Sequence, residues 1–200
     1  MQTIGRWCWR GGGQGDDPTG GLRYDPSVNF ANVLRTVTGF LDERGTRYAV
    51  IGGVAIAMYG LPRTTLDLDL VVEATVQEDL LRWLELIGYQ TLHRSSGFSN
   101  HSHRETSWGT LDFVYVQGET AEKLFAGTRR AQGPGGLEVP IPRPEHLVAL
   151  KVAAMKNDPD RVFREQEDIR FLLHLPGVDR GEVKSYFDRH GLEERFDEIS

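Results

Sequence analysis

Two aspartates, Asp67 and Asp69, sit one residue apart in the run Leu66-Asp67-Leu68-Asp69-Leu70-Val71-Val72. Acidic and apolar residues alternate there at period two, the pattern of a strand. Both carboxylates therefore point to one face, and Leu66, Leu68 and Leu70 to the other. Like charges at that spacing repel, and an ordinary strand gains nothing from the pair. A divalent cation removes the penalty, and carboxylate oxygens are the ligands magnesium prefers. The competing reading is an exposed strand whose acidic residues face water. A second feature lies just upstream. Tyr48–Ile51 reads as a short buried strand ending in Gly52-Gly53. A glycine pair after a strand leaves backbone N–H groups to hold phosphate oxygens, and a following helix start adds its dipole. Arg63, just ahead of the carboxylates, could pair with a triphosphate; an ordinary surface arginine explains it equally well.

Gly52-Gly53, a spacer of thirteen residues and Asp67-Leu68-Asp69-Leu70 together resemble the signature of the polymerase-beta-like nucleotidyltransferase superfamily. The resemblance implies a third carboxylate on a later strand between apolar neighbours, and Asp112, flanked by Leu111 and Phe113, matches it. Many members of the superfamily have serine where this chain has Gly53, which removes a hydroxyl that could touch phosphate. The segment from Pro142 to Lys151 looks like a helix of the AbiEii-like branch of the superfamily, whose lysine faces the site. Arg161 through Glu167-Asp168-Ile169 looks like the next motif of that branch, although Arg164 and Arg170 also offer Asp168 a plain salt bridge. The resemblance spans about residues 47–175. The branch contains toxins of bacterial toxin–antitoxin and abortive-infection systems. Aminoglycoside and lincosamide nucleotidyltransferases share the first motif.

What the resemblance implies is a metal-dependent enzyme that moves a nucleoside monophosphate from a nucleoside triphosphate to an acceptor hydroxyl. Asp67 and Asp69 would hold two Mg2+ (or Mn2+) ions bridging the triphosphate, and Asp112 would bind one ion and orient the acceptor hydroxyl. The amides of Gly52 and Gly53 would cradle the outer phosphates. Lys151 and Arg63 would offset charge on the leaving pyrophosphate, with Asp168 completing the catalytic set. The acceptor could be a tRNA 3′ end, a protein side chain or a small antibiotic. An RNA acceptor needs a basic strip, for which Arg129, Arg130, Lys151, Lys156 and Arg161 are candidates. The expected setting is the toxin-like half of a toxin–antitoxin pair, with a cognate antitoxin protein as partner. An antibiotic-modifying enzyme is the alternative, and a non-catalytic interaction protein that keeps the fold is a third reading.

The elements that must position these residues follow from periodicity. A helix should begin at Asp25-Pro26, bury Phe30, Val33, Leu34, Val37, Phe40 and Leu41, and close at Gly45. A short helix is expected over Ala55–Tyr59 and a longer one over Val76–Leu86. Residues 89–116 should hold two or three more strands, clearest at Leu111–Val116, with loops at Ser95–His103 and Gly109. His93, His101 and His103 read as loop residues, not as a metal site, and Phe98 in that loop could stack on a base. Thr120–Ala126 should be helical and Gly133–Gly136 a loop. Helices are then expected over Glu145–Lys156, Asp160–His174 and Arg180–His190, followed by a short charged tail.

The fold class expected is α+β: a minimal nucleotidyltransferase fold, a small mixed sheet flanked by helices, followed by a C-terminal helical region. Residues 1–25, with seven glycines and no amphipathic period, read as a flexible leader. Residues 26–142 are the expected catalytic core, and residues 143–200 the helical region completing the site. Cys8 is the only cysteine in the sequence, so neither an internal disulfide nor a cysteine zinc site is possible. A net charge of −6 argues against coating nucleic acid by bulk electrostatics. The absence of an apolar run of about 18 residues argues against a membrane span, and the expected location is the cytoplasm.

Overall fold

A computed structural model of the chain describes residues 23–24, 28–62, 64–157 and 162–199. The apolar stripe Phe30, Val33, Leu34, Val37, Phe40 and Leu41 forms the buried face of helix α1 (Phe30–Glu43). Asn29 caps it, its side-chain oxygen accepting the N–H of Asn32 at 3.0 Å. The helix thus starts where the stripe starts, later than the expected Asp25-Pro26, which lies outside the described residues. Gly45, at φ 61°, closes it. Strand β1 (Arg23–Tyr24) falls inside the expected leader, the rest of which is outside the described residues.

Strand β2 (Tyr48–Val50) runs almost without a break into helix α2 (Gly52–Met58). This helix begins at the glycine pair, ahead of the expected Ala55, because Gly52 takes φ 62° and turns strand into helix without a loop. Strand β3 (Thr64–Thr65) pairs in parallel with β1, and β4 (Asp67–Glu73) follows. Leu66, expected on the buried face, precedes β4 and is 58% exposed, whereas Leu68 and Leu70 are fully buried. Helix α3 (Gln77–Leu86) buries Leu80, Leu81 and Leu84 and leads to β5 (Tyr89–Arg94).

The expected loop at Ser95–His103 is instead mostly strand β6 (Phe98–His103). Its composition, Phe-Ser-Asn-His-Ser-His, hides the strand because both of its buried side chains, Ser99 and His101, are polar. Ser99 and His101 are fully buried and hydrogen-bonded to each other at 2.8 Å. Strand β7 (Thr110–Val116) follows, then α4 (Gly118–Ala126). An antiparallel pair that periodicity did not reveal, β8 (Arg129–Gln132) and β9 (Glu138–Ile141), brackets the Gly133–Gly136 turn.

The central sheet has five strands in the order β2-β4-β7-β6-β5. Strand β4 runs parallel to β7, and the other pairs are antiparallel. One face buries Leu68, Leu70, Leu111 and Phe113 in the core, each worth about 2 kcal/mol in removed apolar surface. The opposite face carries Asp67, Asp69 and Asp112. Helices α5 (Pro144–Asn157), α6 (Val162–Leu173), α7 (Arg180–His190) and α8 (Glu193–Ile199) pack together after the sheet. Buried Glu145 anchors α5 by accepting the N–H of Asp179 at 2.8 Å, and Arg143 reaches Glu182 on α7. The charged tail forms α8, since Phe196 and Ile199 are buried. Among the described residues no helix is long and apolar enough to cross a membrane. The whole is a mixed sheet with flanking helices and a C-terminal helical group, the α+β class expected.

Candidate active site

Strand register brings the acidic residues together. Asp69 and Asp112 are direct partners across the parallel β4–β7 pair, and Asp67 lies opposite Thr110. Adjacent strands are about 5 Å apart and alternate residues about 7 Å, so the three carboxylates occupy one corner of one sheet face. Asn100, opposite Asp112 on β6, donates a side-chain N–H to Asp112 Oδ1. Like charges directly opposite one another on a sheet are destabilising, a cost that the core face of the same strands offsets.

The same corner receives α2. The Ile51 N–H donates to the Asp69 carbonyl at 2.9 Å, docking the end of β2 against β4. A Cβ on Gly52 would stand 1.9 Å from Asp69 Oδ2. Backbone and carboxylate can approach this closely only because residue 52 has no side chain.

These groups line one cavity of about 420 Å³, with Gly52, Gly53, Asp67, Asp69 and Asp112 on its sheet side. Helices α5 and α6 supply the other wall with Lys151, Glu165 and Asp168, and Phe98 also lines the cavity. Lys151 Nζ donates to Asp168 Oδ2 at 2.6 Å and to Glu165 Oε2 at 2.7 Å. The lysine side chain is 11% exposed and the two carboxylates are 3% and 2% exposed, so the trio is nearly dry and is held by charge-assisted hydrogen bonds. Asp168 thus meets Lys151 rather than Arg170, which donates to the Glu198 carbonyl; the side chains of Arg63, Arg161 and Arg164 lie outside the described residues.

Of the residues singled out in the sequence, the cavity gathers eight: Gly52, Gly53, Asp67, Asp69, Phe98, Asp112, Lys151 and Asp168. Two partners were missed. Glu165 lies one helical turn before Asp168, a spacing that puts both on the face toward Lys151. Asn100 was hidden by the expectation of a loop, and Phe-Ser-Asn-His offers no apolar alternation that would have found it.

The lining of the cavity contains five carboxylates against one lysine among the described residues. That surplus suits cations, and aspartate oxygens are hard donors of the kind Mg2+ and Mn2+ take. Among the described residues no three acidic, histidine or cysteine side chains converge into a ready-made metal cage. Magnesium usually takes one or two carboxylates plus substrate phosphate oxygens instead of an all-protein cage, so the donor set fits a metal that arrives with a triphosphate.

No family model matches the sequence, and no curated protein does. Solved structures do match the fold. The solution structure of the antibiotic-resistance factor ANT(2'')-Ia is similar at TM-score 0.61 and 18% identity, over 86% of this chain and 96% of that one. The crystal structure of ANT(2'')-Ia with adenylyl-2''-tobramycin gives TM-score 0.58 at 17% identity, over 80% and 95%. An antigenic nucleotidyltransferase-like protein from Paracoccidioides brasiliensis gives 0.51 at 15%, over 84% and 92%. The chain has the nucleotidyltransferase fold.

Proposed function

We propose that this chain is a metal-dependent nucleotidyltransferase of the polymerase-beta-like superfamily. The observation that carries the reading is the in-register Asp69–Asp112 pair on parallel strands, with Asp67 beside it, in the cavity that also holds Gly52-Gly53 and Lys151. In the reaction, an acceptor hydroxyl oxygen forms a bond to the α-phosphorus of a nucleoside triphosphate. The bond from that phosphorus to the β-phosphate oxygen breaks, and pyrophosphate leaves. Mg2+ or Mn2+ held by Asp67, Asp69 and Asp112 would neutralise the triphosphate and acidify the acceptor hydroxyl.

The chain's own groups do the positioning. Asp112, fixed by Asn100, orients the acceptor hydroxyl and takes its proton. The amides of Gly52 and Gly53 receive the outer phosphate oxygens. Lys151, set by Glu165 and Asp168, meets charge developing on the pyrophosphate. Arg63 is a further phosphate contact in this reading, and Phe98 a surface for the base. The helices bearing Lys151 and Asp168 favour the AbiEii-like branch, a toxin-like role with an antitoxin partner, and tRNA as acceptor. A second reading has a specific basis: the acidic cavity suits a polycationic aminoglycoside, and ANT(2'')-Ia shares the fold at TM-score 0.61.

Incubation with each radiolabelled triphosphate, Mg2+ and total RNA tests the reading. Label should enter tRNA with wild type and vanish with Asp67→Ala. Label found only on an added aminoglycoside would select the second reading, and no transfer to any acceptor would reject both.

A further inference from the structure

A second hollow lies at the far end of α2. It has a volume of about 520 Å³ and is lined by Tyr59, Arg129, Arg130 and Glu138 among others. The seven residues of α2 span about 10 Å. Gly53, which lines the carboxylate cavity, and Ala57, which lines this hollow, are four apart and share one face of the helix. The two hollows thus lie at opposite ends of α2.

Their electrostatics are opposite. Here two arginines stand against the single carboxylate of Glu138 among the described lining residues. Both are held in place without an acidic partner. The Arg129 guanidinium lies 4.4 Å from the centre of the Tyr59 ring, and the Tyr59 hydroxyl donates to the Pro142 carbonyl at 2.7 Å. Arg130 donates to the backbone carbonyl of Glu138 at 2.8 Å. Neither forms an ion pair among the described residues, unlike Arg47, Arg82, Arg94, Arg143 and Arg195. In a chain of net charge −6, two guanidinium groups against one carboxylate in a concavity are a local reversal of sign, and guanidinium forks match phosphate oxygens.

We infer that the Tyr59–Arg129–Arg130 hollow binds a phosphate group carried by the acceptor, about one α2 length from the hydroxyl that is modified. This deepens the transferase reading and rests on it. At 3.4 Å per stacked nucleotide, 10 Å corresponds to about three nucleotides, so a strand whose 3′ end enters the cavity would lay an internal phosphodiester on the arginines. A phosphorylated small molecule offers the same chemistry. A polycationic drug does not, and would be repelled.

The test uses the full chain and two readouts. Fluorescence anisotropy follows a labelled 12-nucleotide single-stranded RNA, with glucose 6-phosphate titrated separately. Calorimetry follows a triphosphate with Mg2+. Wild type should bind the RNA with a salt dependence that Arg129→Gln/Arg130→Gln reduces by about 0.7 in log–log slope, the value for one phosphate contact on a single strand. Arg130→Gln alone, which leaves the Tyr59 stack intact, should remove about half of that. Triphosphate binding should persist in both arginine variants and be lost in Asp67→Asn/Asp69→Asn, which should still bind RNA. Arginine-dependent binding of glucose 6-phosphate without RNA binding would keep the site and name the small source. Equal RNA and sugar-phosphate binding by wild type and variants, or none by either, would overturn the site. Failure of the transferase reading would register separately, as absence of triphosphate binding in wild type.

Discussion

Ser99, Asn100 and His101 follow one another on β6, yet the pleat sends them to different environments. Ser99 and His101 turn inward, where Ser99 Oγ lies 2.7 Å from the Tyr115 hydroxyl and His101 Nδ1 lies 3.2 Å from Thr91 Oγ1. That network closes on itself and is fully buried at Ser99 and His101. Asn100 turns to the other face and donates to Asp112, which borders an open cavity. Polar residues on the inner face satisfy one another and hold three strands together. Those on the outer face are organised around a space. The difference teaches that polarity in a strand marks function only when its hydrogen bonding leads outward; inward, it is part of the scaffold.

The largest effect should come from the outer face. Asp67→Asn/Asp69→Asn should reduce nucleotidyl transfer on the order of 10³-fold or more, because these groups act as a unit. Thermal unfolding should show the variant as stable as wild type or more so, since opposed carboxylates add repulsion. A clear loss of stability would place these aspartates with the inner, structural kind.

Truncation on the inner face should behave in the reverse way. His101→Ala leaves Ser99 and Thr91 short of a partner and opens a cavity, and should cost about 3 kcal/mol in denaturant unfolding. Transfer per folded molecule should stay near wild type. The same residue gives a pH signature. Burial holds the His101 imidazole down at about 4, against 6.5 for a free one. Below pH 6.5 the unfolded chain takes up a proton that the folded chain refuses until about pH 4. Stability attributable to His101 should therefore fall by roughly 3 kcal/mol as pH drops through that window. The difference between wild type and His101→Gln, measured from pH 7 to 4, isolates this contribution, and parallel curves would disprove it.

The smallest effect sharpens the boundary between the two faces. Asn100→Ala should lower kcat about 10-fold, the scale for a partner that orients a metal-binding carboxylate. KM for the triphosphate should change little, and the Mg2+ concentration for half-maximal rate should rise. Unchanged kinetics with reduced stability would assign Asn100 to the scaffold.

The sequence displayed the sheet core and the acidic face plainly, because aspartates alternate with apolar residues over Leu66–Leu70 and Leu111–Phe113, although Leu66 itself is exposed. The α5 and α7 helices were equally plain from their apolar spacing. Strand β6 was not, since composition argues for a loop when the inward residues are serine and histidine, and only the tertiary network makes them suitable. Strands β8 and β9 are four residues each with no run of apolar residues, too short for periodicity to speak. Glu165 and Asn100 escaped for a different reason. Each matters through the group it touches, Lys151 or Asp112, and such pairings are set by packing across elements, which local spacing does not encode.

Gly52 has a consequence for anyone reading mutational tolerance as a map of chemistry. It contributes no side chain, yet a methyl group there would collide with Asp69 Oδ2 and would also meet a backbone angle of +62° that other residues rarely adopt. In a saturation screen scored by activity, position 52 should therefore score as intolerant as the aspartates themselves. A chemist would then credit that intolerance to its amide at the phosphates, when the collision with Asp69 alone accounts for it. Exclusion of matter, in this corner of the fold, is as strictly specified as the presence of charge.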